Sequence, residues 1–175
     1  HTFVRPVHGL VVMLGNTVLN TEVLGLTSQN WTLGHRFLAT EPVVFAVADE
    51  YESKMAAEGK VIANFAARRA LIDEHLAVAA GKLNATVAAD EALRDEVTAL
   101  VELPVVLEAG FEEHFLNVPQ ECLILTMQQN QKYFPLLDSN GKLMNRFLLV
   151  SNLKAKDPIH IIQGNERVLR ARLSD

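Results

Sequence analysis

Residues 133–150 read YFPLLDSNGKLMNRFLLV and contain the strongest β-hairpin pattern in the chain. Apolar residues at 133–137 and again at 147–150 flank the turn Asp138-Ser139-Asn140-Gly141, whose residue types favour tight turns. We therefore predict two antiparallel strands here, joined by a polar and flexible turn.

Helices are predicted on the N-terminal side of this hairpin. The clearest one follows Asn64, because apolar side chains recur at three- and four-residue steps as far as Leu83. Two more are predicted over 90–100 and 119–129, the second with a proline in its first turn. One face of the long helix must be covered by other parts of the chain.

The C-terminal segment is predicted to contain two short helices. Asp157-Pro158 is a typical helix start, and Gly164 is placed to end that helix. Asn165 can then cap another helix that continues towards the C-terminus.

Short elements are predicted before residue 64. A hairpin is expected over 10–24, a buried strand over 43–47, a helix over 49–58 and a brief strand over 60–63. Strands and helices alternate irregularly, which favours an α+β class over a doubly wound sheet. We predict mixed or antiparallel sheets with hairpins, packed with several helices.

The composition fits one folded domain. The 175 residues are 49% hydrophobic and 21% charged, which is enough apolar material for a substantial core. A chain of this length corresponds to about one domain. We therefore predict a single α+β domain over 1–175, in which about 157–175 forms a helical junction to a missing downstream part.

The sequence also predicts the cellular location of the protein and the state of its cysteine. No apolar run reaches the ~18–20 residues of a membrane helix and no signal-peptide pattern is present, so a cytoplasmic location is expected. The lone Cys122 cannot form an internal disulfide, and its apolar neighbours predict a buried, unreactive thiol.

The charge is distributed unevenly. The net charge of the chain is −5, with 8 Lys/Arg against 17 Asp/Glu in residues 1–131 and 8 against 4 in residues 132–175. Nucleic acid is attracted by local positive potential and not by overall charge, so an acidic domain with a basic edge is compatible with RNA binding.

Common catalytic and phosphate-binding motifs are absent. The sequence has no GxxxxGK[ST], GxGxxG, HExxH or GxSxG pattern and no Cys/His cluster. The histidines are scattered without an i,i+4 pair. We predict no catalytic residue and no metal site in this chain.

The C-terminal arginines are the most distinctive candidate for binding. Arg167 and Arg170 share one face of a helix at i,i+3, and Arg172 follows them, while Val168 and Leu169 can face the core. Guanidinium groups suit phosphates well. An ordinary solvated face, or ion pairs with carboxylates of the same chain, is the open alternative.

Two further candidates combine a cation with a ring. Lys132 precedes Tyr133, whose ring could stack on an unpaired base, although strand alternation also fits a core position. His35 and Arg36 stand in the GHRF run, and this run or the RPVH run at 5–8 could line a pocket.

Several runs, taken in order, resemble the beta subunit of bacterial glycyl-tRNA synthetase. They are RPVH at 5–8, GHRF at 34–37, GKVI at 59–62 followed by RR at 68–69, EV at 96–97 through LPV at 103–105, QKYFP at 131–135, SN at 151–152, KDP at 156–158 and GNERVLR at 164–170. Together they cover essentially the whole chain, which therefore resembles an internal fragment of that longer subunit.

This resemblance implies a fold and a set of partners. The fold is expected to be similar to the editing-type domain of the phenylalanyl-tRNA synthetase beta subunit. A separate alpha subunit is expected to activate glycine with ATP and magnesium, and the complete enzyme is expected to contain two alpha and two beta subunits. The fragment is expected to contribute to binding of the glycine tRNA, with no synthetic active site and no cofactor of its own.

Three functions are considered for the fragment. The favoured one is tRNA binding or positioning, and the others are editing-like hydrolysis of mischarged tRNA and a purely structural scaffold for neighbouring domains and the alpha subunit. Hydrolysis requires a positioned acid or base and a pocket of suitable size. The candidate RNA contacts are Arg167, Arg170, Arg172, Lys132, Tyr133, Arg36 and His35.

Overall fold

The structure is a computed structural model that describes residues 6–174. Contacts divide the chain into two units, His1–Asn64 and Phe65–Asp175, and each has a hydrophobic core of its own. The α+β class predicted from the sequence is confirmed, with helices and antiparallel sheets. The single domain over 1–175 and its helical junction stay a prediction.

The His1–Asn64 unit is built from three short antiparallel strand pairs and a helix. The pairs are β1 (Met13–Leu14) with β2 (Thr17–Val18), β3 (Glu22–Val23) with β4 (Leu26–Thr27), and β5 (Trp31–Thr32) with β6 (Val43–Val44). A 3₁₀ turn, Ala48–Glu50, leads into helix α1 (Tyr51–Ala57). Val43, Phe45 and Met55 form the small core.

The first half of the predicted hairpin over 10–24 is confirmed by the pairing of β1 with β2. The pairing of β3 with β4 forms a second hairpin, which the sequence analysis missed. Gly15 turns the chain between β1 and β2 with φ +58°. Leu24 and Gly25, with φ 55° and 75°, form a two-residue turn between β3 and β4. Positive φ at both central residues matches the twist of hairpin strands. Leucine is an uncommon residue in this conformation, so the turn was not recognised.

The strand predicted over 60–63 is wrong. The backbone turns sharply at Lys60, whose φ is 56°. The amide of Val61 donates to the carbonyl of Met55 at 2.9 Å. The segment therefore closes the end of α1 and pairs with no strand in the described part of the chain.

The Phe65–Asp175 unit is organised around a sheet with strand order β7-β9-β10-β8, in which all neighbours are antiparallel. The strands are β7 (Thr86–Val87), β8 (Val105–Gly110), β9 (Phe134–Leu137) and β10 (Leu143–Ser151). The helices are α2 (Phe65–Lys82), α3 (Glu91–Leu100), α4 (Gln120–Leu125), which continues through a π-helical turn at Thr126–Asn130, and α5 (Ile159–Ser174). The central hairpin is thus the predicted one.

Both faces of this sheet are covered by helices. Phe134 and Leu148 point into a core that they share with Ile72 of α2. Phe147, on the opposite face of β10, packs in a second core with Leu169 of α5. Adjacent residues of one strand therefore enter different cores, as the alternation of side chains along a strand requires.

The C-terminal segment differs from the prediction. It forms the single helix α5, which runs through Gly164 and Asn165 without a break. Asn165 donates to the carbonyl of Ile161 at 2.7 Å and caps no second helix. The fully buried Leu169 packs against the sheet, so tertiary burial overrides the local stop signal of the glycine.

Two predictions of burial are also wrong. Cys122 is exposed on α4, where the buried residue of the turn is Leu123. Val168 is exposed on α5, because the core side of this helix is occupied by Leu169 and Leu173. No helix within residues 6–174 is long and apolar enough to cross a membrane.

Candidate nucleic-acid interface

The arginines of α5 do not form one open cationic face. Arg167 and Arg172 are exposed, and neither has an ion-pair partner among residues 6–174. At about 100° per helical residue, five positions separate their directions by roughly 140°. Arg170 lies near the Arg167 side but is held by carboxylates.

Arg170 is part of an ion-pair cluster. Its Nε lies 2.6 and 2.8 Å from the two carboxylate oxygens of Glu112, and Nη2 lies 3.6 Å from Glu166. A backbone hydrogen bond, assisted by the Arg170 guanidinium, holds the pKa of Glu112 below its ordinary value. The guanidinium is therefore already occupied by the chain's own carboxylates.

Lys132 and Tyr133 are used within the fold as well. The Lys132 ammonium lies 3.0 Å from Glu96 of α3. Tyr133 is buried, stacks on Phe147 with ring centroids 4.8 Å apart, and donates its hydroxyl to Asn165 at 2.7 Å. Burial raises the pKa of Tyr133 to about 12. Tyr133 is therefore the core residue that strand alternation allowed, with no free ring face for a base.

Lys132 and Arg170 lie on opposite faces of the sheet and do not share one cationic surface. Lys132 is tied to α3, which covers one face of the sheet, whereas Arg170 belongs to α5, which covers the other. Arg167 and Arg172 stay candidate RNA contacts on α5.

The GHRF run forms a rigid turn in the His1–Asn64 unit. A Cβ on Gly34 would lie 2.4 Å from the carbonyl oxygen of Gly59, so only glycine fits this approach. The amide of His35 donates to the same oxygen at 2.7 Å, and its Nδ1 accepts from the amide of Phe37 at 3.2 Å. His35 is only 1% exposed. It therefore positions the turn and is not itself a surface contact.

Arg36 and Phe37 project from this turn. Phe37 is 71% exposed, and the Arg36 guanidinium carbon lies 5.6 Å from the centre of its ring. Arg36 is exposed, and within the described part of the chain no carboxylate lies within 4.0 Å of its nitrogens. The turn thus presents a flat aromatic face beside an available cation.

A cavity of about 790 Å³ adjoins the same turn. His8 of the RPVH run lines it, as do Gly34, His35 and Arg36 of the GHRF run, so the pocket expected from either run contains residues of both. The lining includes His8, Gln29, Trp31, His35, Arg36 and Glu41. Trp31 is 40% exposed.

Two aromatic residues of this surface were missed by the sequence analysis. Neither Trp31 nor Phe37 was chosen as a contact, whereas the buried Tyr133 was. A polar, glycine-containing segment with two aromatics was the available signal, because such residues often stay at the surface of loops. Over residues 6–174 the structure contains no group of His, Cys, Asp and Glu side chains suited to a metal.

The chain was also compared with known proteins. The family model described as glycyl-tRNA synthetase beta subunit matches residues 1–175. The glycine–tRNA ligase beta subunit of Neisseria gonorrhoeae is 72% identical over 174 residues, and that of Dechloromonas aromatica is 61% identical over 180 residues. Each match covers 99% of this chain and 25% of the relative, so the chain spans about a quarter of their length. It belongs to the glycyl-tRNA synthetase beta subunit family.

Proposed function

We propose that this chain is a tRNA-contacting part of a glycine–tRNA ligase beta subunit, which helps to bind and position tRNA for glycylation at the alpha subunit. The observation that carries the proposal is the exposed pair Arg36 and Phe37 on a turn that Gly34 and His35 hold in place. The names of the relatives support the substrate class.

The chemistry of the pair suits unpaired RNA. Bases outside a helix stack on aromatic side chains, and guanidinium groups bind the phosphates that link them. The Phe37 ring is 71% exposed, so a base can reach it from solvent. Hydrogen bonds to Gly59 and His35 hold the backbone of the turn before binding, which lowers the entropy lost on association.

The C-terminal cations have a secondary place in this proposal. Arg167 and Arg172 can add phosphate contacts, because no carboxylate of the described residues occupies them. Arg170 and Lys132 can do so only if a phosphate replaces Glu112 or Glu96. His35 and Tyr133 act through the fold, the first by positioning the turn.

The synthetic step is assigned to another subunit. In this proposal the alpha subunit activates glycine with ATP and magnesium, and two alpha and two beta subunits form the complete enzyme. This chain then supplies affinity and orientation for the tRNA, and it needs no cofactor to do so.

The test uses the complete ligase carrying Arg36→Gln or Phe37→Ala. Loss of one phosphate contact should weaken tRNA binding and reduce its salt slope by about 1. Loss of one stacked base should weaken binding by about 5- to 150-fold with little change in slope. Both are measured by equilibrium tRNA binding at several salt concentrations.

Matched controls are available in the same chain. Leu14 is 71% exposed, as Phe37 is, so Leu14→Ala removes an equally accessible apolar side chain from another hairpin. Lys142→Gln removes an exposed cation from the turn before β10. Equal affinities for all four variants would contradict the proposal.

One observation favours the scaffold alternative. Arg170 and Lys132 are ion-paired inside the chain, as a module that only supports its neighbours would allow. If Arg36→Gln and Phe37→Ala leave tRNA affinity intact but weaken association of the alpha and beta subunits, the scaffold function replaces the proposed one.

A further inference from the structure

We infer that the cavity beside the Arg36–Phe37 turn receives a single unpaired nucleotide, whose base lies along Trp31 and carries an exocyclic amino group. This inference rests on the proposed function and deepens it, since it names the part of the RNA that the surface holds. It is carried by the cavity, its aromatic wall and the position of Arg36.

The size and lining of the cavity fit one nucleotide. Its volume of about 790 Å³ falls in the range of roughly 300–1,000 Å³ that is usual for small-ligand sites. Trp31 is one of the lining residues and is 40% exposed, so its indole is available for stacking with a base. Thr32 and Thr40 add hydroxyl groups that a ribose can bind.

Arg36 connects this cavity to the exposed ring. It lines the cavity, and its guanidinium also lies over Phe37, 5.6 Å from the ring centre. One guanidinium can therefore hold the phosphate between a nucleotide stacked on Phe37 and the next nucleotide in the cavity. Only a strand with unstacked bases can follow such a path, so the occupant is single-stranded.

The acceptors in the cavity set the expected base preference. Glu41 is one of the lining residues, and the oxygens of a carboxylate accept hydrogen bonds. Gln29 uses its Nε2 to donate to the carbonyl of Trp31 at 2.9 Å, which leaves Oε1 as an acceptor. Acceptors of this kind bind the exocyclic amino groups of adenine, cytosine and guanine, which uracil lacks.

The test uses the complete ligase and a photoreactive RNA tetranucleotide of adenosines with one 8-azidoadenosine. Cross-linked peptides are mapped by mass spectrometry. We expect adducts on Trp31, and we expect unlabelled tetraadenosine and tetracytidine to compete about fivefold better than tetrauridine. Glu41→Gln should remove most of this preference, and Thr40→Leu should reduce the labelling by filling the cavity.

Thr40 and Glu41 are exposed, so both variants should fold, and Lys142→Gln is the control that should label like the unaltered ligase. Adducts on Phe37 without any on Trp31, together with equal competition by all three tetranucleotides, would overturn the cavity site while leaving the proposed function intact. If residues 29–41 take no label, and Arg36→Gln also keeps full tRNA affinity, the cavity site and the proposed function fail together.

Discussion

Replacing Gly34 by alanine is expected to open the turn that presents Arg36 and Phe37. The added Cβ would lie 2.4 and 2.5 Å from the carbonyl oxygen and Cα of Gly59, and 2.7 Å from the Cβ of Ala39. Two of these three atoms are backbone, so no side-chain rotation relieves the contact. The turn must move away from Gly59.

The size of the effect follows from the contacts that are lost. Overpacking of a tight site costs about 1–3 kcal/mol. Moving the turn also breaks the 2.7 Å bond from the His35 amide to Gly59, at about 0.5–1.5 kcal/mol. A combined loss of about 2–4 kcal/mol corresponds to an increase in amide exchange at His35 of about 30- to 1,000-fold.

Hydrogen exchange of the complete ligase, resolved by peptide, measures this change directly. The affinity for tRNA should fall as is expected for Arg36→Gln, although no side chain that is proposed to contact RNA has been removed. Gly164→Ala is the control, because a Cβ there meets nothing within 4 Å and the position is inside α5. It should stabilise the helix by about 1 kcal/mol and leave the turn unchanged. Unaltered exchange at His35 in Gly34→Ala would refute the reasoning.

Two further predictions concern the Phe65–Asp175 unit. The pKa of Tyr133 is about 12 in the fold against an ordinary value of 10, so the folded state keeps its proton where the unfolded state loses it. The contribution of Tyr133 to the free energy of unfolding is complete below pH 10 and is lost as the pH rises towards 12. The phenolate absorbance of Tyr133 is isolated as the difference between the unaltered protein and Tyr133→Phe. Its appearance near pH 10 in the folded protein would contradict this prediction. Glu112 has a lowered pKa, so its contribution is present above its ordinary pKa and is lost as the pH falls through the folded value. Glu112→Gln should destabilise the unit slightly and free Arg170 from Glu112, which should raise the salt slope of tRNA binding by up to about 1. An unchanged slope would show that Arg170 meets no phosphate.

Local patterns predicted much of the fold. The hairpin of β9 and β10 and the helices α2 and α3 were predicted because their turn residues, caps and apolar spacing act within a few positions. Asp90 illustrates this, since its side chain accepts from the amide of Leu93 at 2.8 Å, as an N-cap does. Gly164 illustrates the opposite, because burial of Leu169 across the sheet outweighs a local preference.

Pro135 shows how an inner strand can contain a proline, although local preferences disfavour proline there. It lies in β9, an inner strand of the sheet, where proline cannot donate to a neighbour. The pairing register between β9 and β10 shifts between Leu143 and Phe147, and Pro135 faces Phe147 at that irregularity. Its carbonyl still accepts from Ala88 at 2.9 Å. The strand therefore tolerates proline where its ladder is already interrupted.

The candidate site was less predictable from the sequence. Whether a cation is free to bind a phosphate depends on carboxylates that lie far away along the chain. Arg170 and Glu112 are 58 positions apart in sequence, and Lys132 forms an ion pair with Glu96 of the distant helix α3. No periodicity reveals such pairs. Arg36 was among the candidates, but the exposed ring beside it could be recognised only once the structure showed which aromatics are buried.

Because the net charge of the chain is −5, the position of a cation decides whether it can bind a phosphate more than the number of cations does. Several cations of this acidic chain have carboxylate partners, as Arg69 does with Asp73, Glu91 and Asp95. A phosphate must displace such a partner before it binds, and the gain is then small. Arg36 has no carboxylate within 4.0 Å of its nitrogens among the described residues, and its guanidinium carbon lies 5.6 Å from the centre of the Phe37 ring. Under the proposed function, this acidic chain would attract RNA through cations such as Arg36, which have no carboxylate partner among residues 6–174.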